Sequence, residues 1–195
     1  MLIKERIHGF CNSVYRTKGG LWVPLLDMVV PKHRNILSIV DGPRGKFLYA
    51  APNIVTDAGD QYYAQSAMGE TPTNAFINLY LSTVAWGSPG KTSNSSGIAS
   101  MIAGTEKAPT ATYPKTNDGD SDNTGAGIDV MTWLYSYTKA DFNDPSIEGG
   151  AISIASVPAW GSGSTPVLTA FNQTAFEKTA NDTLKQFVNH TQNGV

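Results

Sequence analysis

The stretch "IDVMTWLYSYTK" (128–139) decides the fold. Met131, Trp133, Tyr135 and Tyr137 fall on one side of a two-residue period, with Val130, Leu134 and Thr138 on the other. A helix would scatter these side chains around its axis, whereas a strand sends alternate residues to opposite faces. Aromatic and β-branched residues also suit a pleated, packed surface. The segment therefore reads as a strand with a heavy aromatic face.

Its neighbours repeat the pattern. "AFINLYLSTV" (75–84) sets Ile77, Leu79 and Leu81 against Phe76, Asn78, Tyr80 and Ser82, which predicts a half-buried strand. "GGAISIASV" (149–157) and "TPVLTAF" (165–171) are two more, and "LWVPLLDMVV" (21–30), "NILSIV" (35–40) and "KFLYAAPNIV" (46–55) are short apolar runs bounded by Pro, Gly and Asp. The C-terminal region carries two signals. "TAFE" (174–177) has the form of a capping box, while "DTLKQFVNHT" (182–191) reads as a strand, so a short turn or one helical turn followed by a strand is expected. No repeat of 20–50 residues occurs. The expected fold is all-β, a β-sandwich or jelly-roll-like body over 46–195, with an extended N-terminal arm and first strands over 1–45.

Composition agrees. Only 15% of the 195 residues are charged, against roughly 25% in an ordinary soluble domain. Polarity comes instead from Ser, Thr, Asn and Gly, which suit strand faces and turns. The single cysteine, Cys11, excludes an internal disulfide framework. The first residues lack the apolar core of a signal peptide, and no apolar run is long enough to span a membrane, so no membrane association is expected. The sequons at Asn94, Asn172, Asn181 and Asn189 then read as Asn/Thr-rich surface. Charge is unevenly spread. Residues 1–50 carry eight Lys and Arg against three Asp and Glu, and residues 51–195 carry six against thirteen. A basic leading segment on an acidic body raises the question of what that segment binds.

Several stretches invite a chemical reading. Gly90-Lys91-Thr92 ends like a phosphate-binding loop, but Ala85 stands where the leading glycine belongs and no helix pattern follows. Cys11 and His8 lie on the arm without a scaffold to orient them, and His33 and His190 are isolated. "WGSGS" (160–164) is not a nucleophile elbow. In "TNDGDSDNTGAGID" (116–129), Asp118, Asp120, Asp122 and Asp129 have the spacing of a calcium loop, with Asn123 where glycine is preferred. The strand that follows favours a hairpin turn over a metal site, because calcium loops of this form open into helices. The basic residues are too dispersed, and the body too acidic, for specific nucleic-acid binding. No catalytic, cofactor-binding or metal residue is assigned.

"GDQYYAQSAMGETPTNAF" (59–76), "YPKTNDGDSDNTGAGIDV" (113–130) and "TLKQFVNHT" (183–191) resemble small structural proteins of tailed-bacteriophage virions, of the capsid decoration or cement type. The resemblance spans most of residues 50–191. It implies a non-enzymatic virion protein, assembled in the host cytoplasm, that binds the major capsid protein and copies of itself without a cofactor. A head–tail collar or tail component is the nearest alternative. The residues themselves leave open a calcium-assisted carbohydrate-binding module built on Asp118, Asp120 and Asp122, with tryptophans as sugar platforms. In the virion reading, Tyr62, Tyr63, Trp86 and Trp160 are candidate subunit contacts. The arm, through Leu2, Ile3, Ile7, Phe10 and Tyr15, would lie across an acidic neighbour.

Overall fold

The computed structural model describes residues 36–51, 53–72, 76–83, 101–116, 130–161 and 165–191, together with the backbone of four short strands between residues 10 and 29. Those four are β1 (Phe10–Cys11), β2 (Val14–Arg16), β3 (Trp22–Pro24) and β4 (Met28–Val29). β1 pairs with β4 and β2 with β3, and none of them joins a larger sheet. The other residues before 36 lie outside the described residues.

The body is the predicted all-β sandwich. Its strands are β5 (Ile36–Gly42), β6 (Gly45–Ala51), β7 (Asn53–Val55), β8 (Asn78–Ser82), β9 (Lys115–Thr116), β10 (Val130–Tyr137), β11 (Asp144–Ser153), β12 (Val167–Lys178) and β13 (Thr183–Thr191). One sheet runs β6-β5-β13-β10-β9 and the other β7-β12-β11-β8, with all neighbours antiparallel. β5 precedes residue 46 yet is integral to the sandwich, since it pairs with β13 from the far end of the chain. Among the described residues no helix is long and apolar enough to cross a membrane, which says nothing of a β-barrel.

The inner faces meet in one core. Trp133, Tyr135 and Tyr137 of β10 pack with Ile36, Val40, Leu184 and Val188 of the same sheet and with Leu79, Leu81, Ile152, Leu168 and Phe171 of the other. The alternation read from 128–139 is therefore the core face. The expected half-burial of β8 is corrected. Tyr80 and Ser82 are buried along with Leu79 and Leu81, because the loop residue Trp160 folds over the outer side and meets Tyr80 edge-on at 5.1 Å. The helical turn expected at "TAFE" is also absent. β12 runs straight through it to Lys178, and Phe176 turns inward to stack on Tyr49 at 4.7 Å. Cross-strand pairing with β11 overrides a local capping signal.

One side of the sandwich is closed by residues 101–116. Lys107 exchanges backbone hydrogen bonds with Leu79, and Ile102 donates to Leu81, so the segment first follows the edge of β8. It then crosses to the other sheet, where the Thr110 amide donates to the Leu134 carbonyl at 2.7 Å. Both edges thus find partners instead of presenting bare backbone groups.

One end of the sandwich is tied by charge. Asp182, buried, accepts from the Thr179 amide (2.9 Å), the Thr179 hydroxyl (2.6 Å) and Arg44 (2.6 Å), and Arg44 also pairs with Glu177. Burial alone would raise the Asp182 carboxyl, but these donors outweigh it and hold it below the ordinary carboxylate range. The β5–β6 hairpin, which turns at Gly45 (φ 116°), is thereby fixed to the β12–β13 turn. Beside it the buried ammonium of Lys178 donates to the Phe142 carbonyl at 2.6 Å and lies over the Phe142 ring. Burial lowers its pKa against the pull of Asp141 and Asp182.

Candidate functional site

At the other end lies a helix that the sequence patterns do not announce. α1 (Asp57–Ala67) follows β7 directly. Thr56 caps it, accepting from the Gly59 amide at 3.0 Å while its own hydroxyl donates to the Val167 carbonyl. Asp57 and Asp60 in the first turn favour the positive end of the helix. The Thr56 amide donates to the Leu168 carbonyl at 3.1 Å, so the cap doubles as a rivet to β12.

From α1, Tyr63 reaches between the sheets. The Trp133 indole donates to the Tyr63 hydroxyl at 3.0 Å, and Tyr63 bonds Nδ1 of His190 on β13. Indole N–H can only donate, so the Tyr63 oxygen accepts from Trp133, and a hydrogen bond joins the same hydroxyl to His190 Nδ1. His190 Nε2 is buried, with no hydrogen-bond partner among the described residues. Burial pushes the His190 imidazole down to about 3 and the Tyr63 phenol upward. A histidine that weakly basic is neutral at physiological pH and a poor general base. The chain is a string of neutral hydrogen bonds that positions a helix.

The same logic runs along β10. Tyr135 donates to the Ile77 carbonyl at 2.9 Å and Tyr137 to the Thr105 carbonyl at 2.8 Å. Each core aromatic of this strand spends its polar tip on a different connecting segment, so one strand anchors α1, the entry to β8 and the closing segment.

A second polar group joins the sheets near mid-height. Ser38 on β5 lies 2.8 Å from Gln186 Oε1 on β13 and 3.0 Å from Gln173 Oε1 on β12. A hydroxyl has one proton to give, so one of these amides must present its NH2 to Ser38. The contact is an inter-sheet bolt, buried at Ser38 and Gln186.

Of the residues singled out from sequence, the structure brings Tyr63 and His190 together. Asp118, Asp120, Asp122, Asn123 and Asp129 lie outside the described residues, as do Trp86, Ala85 and Gly90 to Thr92. So do His8, His33 and the side chains of Leu2, Ile3, Ile7, Phe10, Cys11 and Tyr15. The segment 117–129 joins β9 to β10, which pair antiparallel through Thr116↔Met131 and Lys115↔Thr132, so it connects adjacent strands. Among the described residues no three His, Cys, Asp or Glu side chains gather as a metal set would. Tyr62, Tyr63 and Trp160 are partly buried against the cores, so they serve packing first. Sequence reading left His190 isolated, because its partners come from residues 63 and 133 and no local spacing connects the three.

No protein family, curated protein or solved structure matches the chain.

Proposed function

We propose that this chain is a non-enzymatic structural protein of a tailed-bacteriophage virion, a decoration protein that binds the capsid shell as a homo-oligomer and stabilises it. The observation that carries this reading is where the polar groups are spent. Among the described residues, His190, Tyr63, Lys178 and Asp182, side chains able to do chemistry, are held inside as fasteners between strands, helix and turns. The outcome is a rigid body suited to being one tile of a larger surface. Among the described residues, Met68, Phe76 and Val157, at 78%, 52% and 84% exposure, are large apolar side chains offered to solvent. Their contact with a shell would bury apolar area that the free protein leaves wet.

A protein that binds the assembled shell in preference to loose subunits stabilises it by mass action, with no cofactor. Expected, then, is a copy number close to that of the major capsid protein when purified virions are quantified by mass spectrometry. A handful of copies would place it at the collar or tail, and its absence from virions would overturn the reading.

A further inference from the structure

The outward side of the five-stranded sheet is not a solvent face. Leu37 and Ile39 of β5, Leu134 of β10 and Phe187 of β13 form an apolar cluster there, at 5%, 3%, 5% and 0% exposure. They are contiguous, since Phe187 is registered between Leu134 and Leu37, and Ile39 sits opposite Leu48. The described side chains packed on the cluster are Leu48, Ala50 and Tyr113. Leu48 and Ala50 stand beside it on the same face and flank it. Polar residues interspersed on that face, Lys46, Thr132, Lys185 and Asn189, are all engaged in interactions as well. A phenylalanine at full burial on the outside of a sheet requires a further layer across it.

The chain has a segment in the complementary position. "LWVPLLDMVV" (21–30) is as apolar as a core strand, yet among the described residues β3 and β4 pair with β2 and β1 and enter neither sheet of the sandwich. An apolar run without a sheet must bury its side chains elsewhere. β2 lies against β6, the edge strand of the five-stranded sheet. The segment also ends only a few residues before β5, which begins at Ile36 and carries Leu37 and Ile39. We infer that the segment carrying β1 to β4 seats on the outer face of the five-stranded sheet of its own chain, over Leu37, Ile39, Leu134 and Phe187.

The seat is a property of the free chain and does not depend on the virion reading, so either can fail alone. The single cysteine provides the probe. A nitroxide on Cys11 of the full chain should broaden the NMR signals of Leu37, Ile39, Leu134 and Phe187. Ala151, Val167 and Ala170, on the outer side of the other sheet, should be affected far less. Broadening falls with the sixth power of distance and stacked sheets lie about 10 Å apart, so a contrast of roughly tenfold or more is expected. The same contrast is expected from a label at Lys18→Cys in a Cys11→Ser background, which guards against a label that disturbs its own surroundings. Equal or reversed broadening of the two faces from both labels would overturn the seat. So would broadening that arises only when spin-labelled chains are mixed with separate isotope-labelled chains, because the occupant would then be a second copy.

Discussion

Replacing Gly59 by alanine should destabilise the protein by about 3 kcal/mol, although helix propensity alone predicts a gain of roughly 0.5–1 kcal/mol. The sign reversal comes from how α1 docks. A Cβ at position 59 would lie 2.2 Å from the Leu168 carbonyl oxygen and 2.9 Å from Val55 Cγ1. The first of these is backbone, at the start of β12 where the strand pairs with β7 and β11, and cannot swing away. It is also the acceptor for the Thr56 amide. Inserting a methyl group must therefore lift the helix, at about 1–3 kcal/mol for overpacking, and break hydrogen bonds worth about 1 kcal/mol each. Lifting α1 would also draw Tyr63 away from Trp133 and His190. Urea unfolding followed by tryptophan fluorescence reads the change. For a chain of this size the loss corresponds to roughly 6–12 °C in melting temperature. An unchanged or higher stability would mean that the helix does not sit on β12 as described.

The contrast between β10 and α1 shows what the sequence makes legible. In β10 the signal and the structure coincide on the inner face, where Met131, Trp133, Tyr135 and Tyr137 all pack into the core, although Thr132 and Leu134 on the other face are buried as well. α1 has no comparable stripe. It carries Gly59, Tyr62 and Tyr63, residues that favour other conformations, and it is held by its ends and one deep tyrosine. Its one local signature is Thr56 followed by acids at 57 and 60. At 174–177 the reverse holds. The capping pattern is present, but Phe176 earns more from stacking on Tyr49 inside the sandwich than a first helical turn could supply. The double-sided burial of β8 depends on Trp160, eighty residues away, and no window of sequence contains both. The same holds for the candidate site. Tyr63, Trp133 and His190 are joined only by the fold, and Asn189, which reads as a surface sequon, is 2% exposed because β13 is central to its sheet.

Acid should weaken the protein well before its carboxylates begin to protonate, and His190 should account for the difference. The folded imidazole is pushed from 6.5 to about 3 by burial. An unfolded chain therefore takes up a proton below about pH 6.5 that the folded chain refuses, and stability follows the proton balance. The contribution is complete above that pH and declines by about 1.4 kcal/mol per unit as pH falls toward 3. By about pH 4.5 the loss is close to 3 kcal/mol, a large part of the stability of an ordinary domain. Asp141 and Asp182, both held below the usual carboxylate range, add their own losses only at lower pH. His190→Gln keeps an acceptor for the Tyr63 hydroxyl and removes the titration. This variant should be less stable than the parent near pH 7, because its side chain fills the site less well. Its stability should then change little down to about pH 4.5, so that the two curves converge or cross. His8 and His33 are common to both proteins and cancel in the difference. Urea unfolding at several pH values gives both curves directly, and parallel slopes for parent and variant would show that the imidazole is not buried neutral against Tyr63.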